Sequence, residues 1–123
     1  MYHVLIMTDI AGGILGRNTS DVTINNSYSI GQLQERDTWG HTFGGIVGSN
    51  KGTSVTINKC YYLKTEKATQ AVSGVEDSTL DVVQCTSASE ITAEILNANI
   101  STITHEDEWK AWKAGEKGYP VFE

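Results

Sequence analysis

The feature that most limits what this chain can become is a repeat. Residues 43–63 read FGGIVGSNKGTSVTINKCYYL, and residues 11–30 read AGGILGRNTSDVTINNSYSI. Gly12, Gly13, Ile14, Leu15, Gly16, Arg17 and Asn18 fall on Gly44, Gly45, Ile46, Val47, Gly48, Ser49 and Asn50, an offset of 32. Val22, Thr23, Ile24 and Asn25 fall on Val55, Thr56, Ile57 and Asn58, an offset of 33. The extra residue lies in the polar stretch 51–54 against 19–21, which marks a surface loop. Self-similarity at this spacing signals stacked units that share one core. Frequent glycine and alternating Val, Thr and Ile favour short strands over helices. In VTIN the apolar residues are two apart and share a face, in both copies.

Four-residue strands need partners, and each copy can supply them to the other. The expected fold is therefore all-β: a short right-handed parallel β-helix, or solenoid, over residues 1–86. Its coils are the two repeats plus a degenerate third, drawn from Val72, Ser73, Gly74 and from Val82, Val83, Gln84, Cys85. The glycines let the backbone turn or approach a neighbour where a Cβ would clash. Asn18 over Asn50, and Asn25 over Asn58, are placed to hydrogen-bond between coils at corners. Beyond the corner the phase stays open. If the corner resets the alternation, Ser27 and Cys60 point inward; otherwise Tyr28 and Tyr61 do.

The stretches Gly13-Ile14-Leu15-Gly16 and Gly45-Ile46-Val47-Gly48 resemble the GLUG motif: glycine, two hydrophobic residues, glycine. The downstream runs Asn25-Asn26-Ser27-Tyr28 and Asn58-Lys59-Cys60-Tyr61 approximate the Asn-Cys-Tyr stretch that follows it in that family. The resemblance covers residues 11–63. It implies a tandem array within a large exported bacterial protein, such as an adhesin-like surface protein, and no catalytic residue.

Composition agrees with a folded domain that avoids polyanions. The 123 residues are 39 % hydrophobic and carry a net charge of −6, which argues against nucleic acid and anionic lipid as partners. No apolar run is long enough to insert in a membrane. The opening MYHVLIMTDI has no Lys or Arg before its apolar run and no proper cleavage region, so it reads as a strand and not a signal peptide. The chain reads as the C-terminal piece of a longer exported protein, extracellular or at the cell surface. Two cysteines, Cys60 and Cys85, are too few for a disulfide framework and read as buried free thiols.

After residue 86 the pattern changes. Ser87-Ala88-Ser89-Glu90 is a capping box opening a helix over 88–97, with Ile91, Ile95 and Ala98 on one face. A second helix is expected from Thr104, with acids in its first turn, Lys110 and Lys113 in its last, and Gly115 beyond. Trp109 and Trp112 would share its face. Residues 119–122, YPVF, read as an edge strand. Residues 87–123 are thus expected to form a small α-helical cap over the open end of the coils, within the same domain.

For function, the expected role is structural or adhesive, without cofactor or metal. Its partner would be a host or cell-surface protein or glycan, and end-to-end self-association is an option. The alternative is carbohydrate binding through Trp39, Tyr61 and Tyr62, since aromatic rings with one wet face stack on sugars. The competing account packs those tyrosines between coils and lays Trp39 over a coil edge. A glycan-cleaving enzyme ranks below both. Its acids would be Glu35 and Asp37, and neither has a counterpart in the second copy. His3, His41 and His105 lie in unrelated contexts, and the acids at 106–108 lack the alternating oxygen ligands of a calcium loop.

Overall fold

The structure is a computed structural model that describes residues 3–6, 10–35, 42–50, 54–65, 68–106 and 108–123. The first repeat and its flanks give β1 (His3–Ile6), β2 (Ile10–Gly12), β3 (Leu15–Asn18), β4 (Val22–Asn25), β5 (Tyr28–Ser29) and β6 (Gln32–Glu35). The second gives β7 (Thr42–Gly44), β8 (Val47–Asn50), β9 (Val55–Asn58) and β10 (Cys60–Leu63). Then come a 3-10 turn at Asp77–Thr79, β11 (Val82–Cys85), a 3-10 turn at Ala88–Glu90, α1 (Ala93–Ile100), β12 (Trp112–Ala114) and β13 (Pro120–Phe122).

Equivalent strands of the two repeats pair side by side and parallel. Leu15 faces Val47 and Asn18 faces Asn50 across β3–β8, and Val22 to Asn25 face Val55 to Asn58 across β4–β9. The β2–β7 pair joins the same series, and β1 pairs with β6. Between the strands, the N–H groups of Ile14 and Leu15 both donate to the Ile46 carbonyl at 3.0 Å.

The expected all-β right-handed β-helix does not form. The described strands, two to four residues long, fall into six separate sheets, five of them two-stranded. One of these, β12–β13, is antiparallel, and one α-helix packs beside them. A solenoid needs about three or more full repeats to bury a continuous core, and the third layer here is fragmentary. Val72 makes an isolated parallel bridge to Val47, and β11 lies along β10. Between Val72 and β11, where a third VTIN would fall in the chain, the sequence includes Glu76-Asp77-Ser78-Thr79, and Asp77–Thr79 turn as a 3-10 helix. The β4–β9 pair therefore stays two-stranded.

One strand, β10, is buried on both faces, and this resolves the open phase. Cys60 and Tyr62 enter a core with Ile24, Ile46, Val47, Ile57, Ala71 and Val72. Tyr61 points the other way, into a second core with Ile30, Cys85, Ile91 and Leu96. The corner that precedes β10 is a left-handed residue in each repeat, Asn26 (φ 44°) and Lys59 (φ 55°). Asn takes that conformation readily; a lysine there is uncommon.

Ala88, Ile91, Leu96, Trp112 and Tyr119 of the C-terminal segment pack against the outer face of β5–β10–β11 instead of closing the end of the stack. The segment's contacts reach back to the first repeat, where the Asn26 amide nitrogen donates to the Leu96 carbonyl at 2.9 Å and the Tyr28 hydroxyl donates to the Pro120 carbonyl. The helix expected over 88–97 is split. Ser87 and Glu90 do form their reciprocal cap, but around a 3-10 turn. Ile91 then leaves helical geometry to bury itself, and Thr92 caps α1 afresh by accepting from the Ile95 N–H at 3.2 Å. Among the described residues no second helix forms, and residues 112–114 are strand. The Asn97 side chain donates to the Trp112 carbonyl (3.0 Å) and accepts from the Trp112 N–H (2.7 Å), occupying the backbone groups a helix would use. The YPVF stretch does become a strand, β13, closed onto β12 by a turn with Gly118 at φ +87°.

Both thiols are free and buried, and desolvation by burial pushes each above its ordinary pKa. They occupy different cores, and β10–β11 register sets Cys60 opposite Val82 and Cys85 opposite Leu63. Neither thiol should react with a thiol-specific chromogenic reagent at pH 8 within minutes, and both should react in guanidinium. Prompt reaction of the native protein would contradict this packing. A second prediction concerns Gly45, where an added Cβ would overlap the Tyr62 ring. Gly to Ala ordinarily stabilises by about 0.4–1 kcal/mol through the unfolded state. Overpacking costs about 1–3 kcal/mol and dominates here. Gly45→Ala should lower the urea midpoint, and an unchanged or raised midpoint would refute the contact.

Candidate functional site

The repeat motif builds a scaffold before it builds a site. The Asn18 side-chain amide donates to the Asn50 carbonyl oxygen at 2.9 Å, and the Asn58 amide donates to that of Asn25 at 2.7 Å. Each repeat thus holds the other at two corners. Gly13 and Gly45 sit where a side chain would strike, respectively, Ser29 with the Gly45 carbonyl, and the Tyr62 ring. Gly16 and Gly48 lie within β3 and β8.

At the first corner the left-handed turn drives the Asn26 side chain inward, where it is buried. Asn99 of α1 meets it there. The Asn99 amide donates to Asn26 Oδ1 (3.1 Å) and to the Tyr61 hydroxyl (2.9 Å). These bonds, with that from Asn26 to Leu96, fasten the C-terminal segment to both repeats. The matching residue in the second repeat, Lys59, instead lies near Asp81 at 3.9 Å. Both side chains are about half exposed there, so the pair contributes little.

The aromatic residues expected to stack on sugars are placed otherwise. Tyr62 is 0 % exposed, and its hydroxyl is 2.6 Å from an Asp77 carboxylate oxygen and accepts from Gln84 at 2.7 Å. Burial, and then the Asp77 contact, push its pKa upward. Tyr61 is 8 % exposed and held by Asn99. Neither offers a ring face to solvent. Trp39, Asp37 and His41 lie outside the described residues, and Glu35 is on β6. Asp21 accepts from the Ser54 hydroxyl at 3.0 Å, another link between repeats. Among the described residues, no group of three or more His, Cys, Asp or Glu is placed to hold a metal, and no helix is long and apolar enough to cross a membrane.

The structure does bring together a set of residues that spacing could not pair. An open cleft of about 400 Å³ lies between the first corner and the C-terminal segment. Asn25, Asn26 and Ser27 form one side, and Glu108, Trp109, Lys110, Trp112 and Phe122 the other. Its volume falls in the range of small-ligand sites. Trp112 is clamped by Asn97 and packs against Phe122 (ring centroids 4.3 Å apart) and Tyr28 (5.8 Å). Trp109 is stacked on His105 at 3.8 Å, nearly parallel. The only signal for this cleft in the sequence is the density of aromatic residues after residue 108.

The Asn26–Asn99–Tyr61 junction yields a prediction. Removing one partner from a buried set strands the others, at about 1–3 kcal/mol. Asn99→Ala should therefore destabilise the protein by that amount in urea titration. Thr23→Ala, at an exposed strand position, should stay within about 0.5 kcal/mol of the parent. Equal effects from the two would remove the junction from the account of stability. In comparisons with known proteins, no family model, no curated protein and no solved structure matches the chain.

Proposed function

We propose that this chain is a non-catalytic structural or adhesive module of a larger bacterial surface or secreted protein. The GLUG-like resemblance of residues 11–63 supplies the setting. The observation that carries the reading is the use to which the repeat puts its own residues. The motif's asparagines bond copy to copy, its glycines admit neighbouring groups, and its aliphatics other than the exposed Ile14 fill or flank one core. A motif whose groups are occupied in this way holds a shape and presents whatever is attached to it. Thr23 and Thr56 lie side by side on the exposed face of β4–β9, which gives the scaffold a polar outer surface.

The test has two arms. Antibody raised against the chain should label intact, unpermeabilised cells that produce the parent protein. Beads coated with the purified chain should be retained on cell layers several-fold above albumin-coated beads. Labelling seen only after permeabilisation would overturn the surface assignment. Release of product from polysaccharide or peptide substrates by the purified chain would overturn the non-catalytic one.

A further inference from the structure

We infer that the cleft between the first corner and the C-terminal segment binds a neutral saccharide. This deepens the adhesive reading by naming a partner class, and it rests on that reading only for its biological setting.

The cleft offers an aromatic surface. Phe122 is 57 % exposed, although its ring packs on Trp112. Trp109 is half-buried and pinned by His105, so the part of its surface that faces the cleft is held in one orientation. Fixed aromatic rings cost little conformational entropy on binding and suit the C–H face of a pyranose ring.

The rim adds hydrogen-bonding capacity. The Asn25 side-chain oxygen is taken by Asn58, which fixes the amide plane and leaves its NH₂ without a partner among the described residues. Glu108 and Lys110 likewise line the cleft with no protein partner among those residues. An amide donor, a carboxylate acceptor and an ammonium donor around aromatic rings match vicinal hydroxyls, each of which both donates and accepts.

Charge separates this ligand class from others. Glu108 and Lys110 cancel, and the protein as a whole carries −6, so a phosphate or sulfate group meets no net attraction. A purely apolar ligand would leave Glu108 and Lys110 desolvated and unpaired. The cleft is open to solvent, as suits one or two units of a longer glycan.

The experiment uses the complete 123-residue chain on a glycan array of neutral and anionic saccharides, followed by tryptophan-fluorescence titration with the best neutral oligosaccharide. The expected result is retention of neutral glycans, with a fluorescence change on titration. Affinity should stay within about twofold from 50 to 500 mM NaCl, since no ligand charge is there to screen. Trp109→Ala should weaken binding at least about tenfold and Trp109→Phe much less. Glu108→Ala removes an exposed side chain with no partner among the described residues, and should also weaken binding. Silence across the neutral glycans, or affinities unchanged in both Trp109→Ala and Glu108→Ala, would overturn the proposal. Preference for anionic glycans with steep salt dependence would overturn the neutral class. Binding by the purified chain does not depend on where the parent protein resides, so these outcomes are separable from the cell-labelling result.

Discussion

Strand β10 is the constraint on which the rest of the structure depends. It is the middle strand of the three-stranded sheet, and its four residues are all buried. Because side chains alternate, one extended segment can serve two cores only if both of its faces are covered. Cys60 and Tyr62 face the interior between the repeats, while Tyr61 faces the C-terminal segment. Neither core is large. Burying each aliphatic or aromatic side chain contributes about 1.5–3 kcal/mol, and with so few of them the two cores must stand together.

This arrangement explains why the C-terminal segment lies alongside the repeats. An end cap would protect unpaired strand edges. Here the greater demand is the outer face of β5–β10–β11, with Tyr28, Tyr61 and Cys85 to cover. Ile91 and Leu96 meet the apolar part of that demand, and Asn99 meets the Tyr61 hydroxyl. The polar junction also fixes position, since Asn26 can satisfy its amide and carbonyl only when α1 stands in one place. The cleft beside Trp109 is a by-product of that placement. It forms where β12–β13 and the residues before them pass the corner of the first repeat without filling the space next to it.

Much of the repeat half could be read from the sequence, because its information is local and written twice. The offset of 32 changing to 33 gives the register of β3–β8 and β4–β9 directly. A full solenoid does not follow from two copies. The third layer fails at Glu76-Asp77-Ser78-Thr79, where the alternation of VTIN is lost. In the C-terminal half, local helix signals mislead. Acids before bases with a closing glycine describe residues 104–115 well. Yet the Asn97 side chain captures the Trp112 backbone from fifteen residues away, and residues 112–114 pair with β13 as a strand. The cleft was out of reach for the same reason, since Asn25 and Trp109 meet only through the tertiary fold.

The two left-handed corners have taken up different duties. Asn26 points into the protein and grips α1, while Lys59, at the same place in its own repeat, stands at the surface beside Asp81. Similar repeats in one chain invite misaligned recombination of the DNA that encodes them, which tends to make duplicates uniform. A gene conversion that copied the second corner over the first would set an ammonium group where the helix requires an amide. The divergence of these two positions therefore makes the copies non-interchangeable and gives the duplication a fixed polarity.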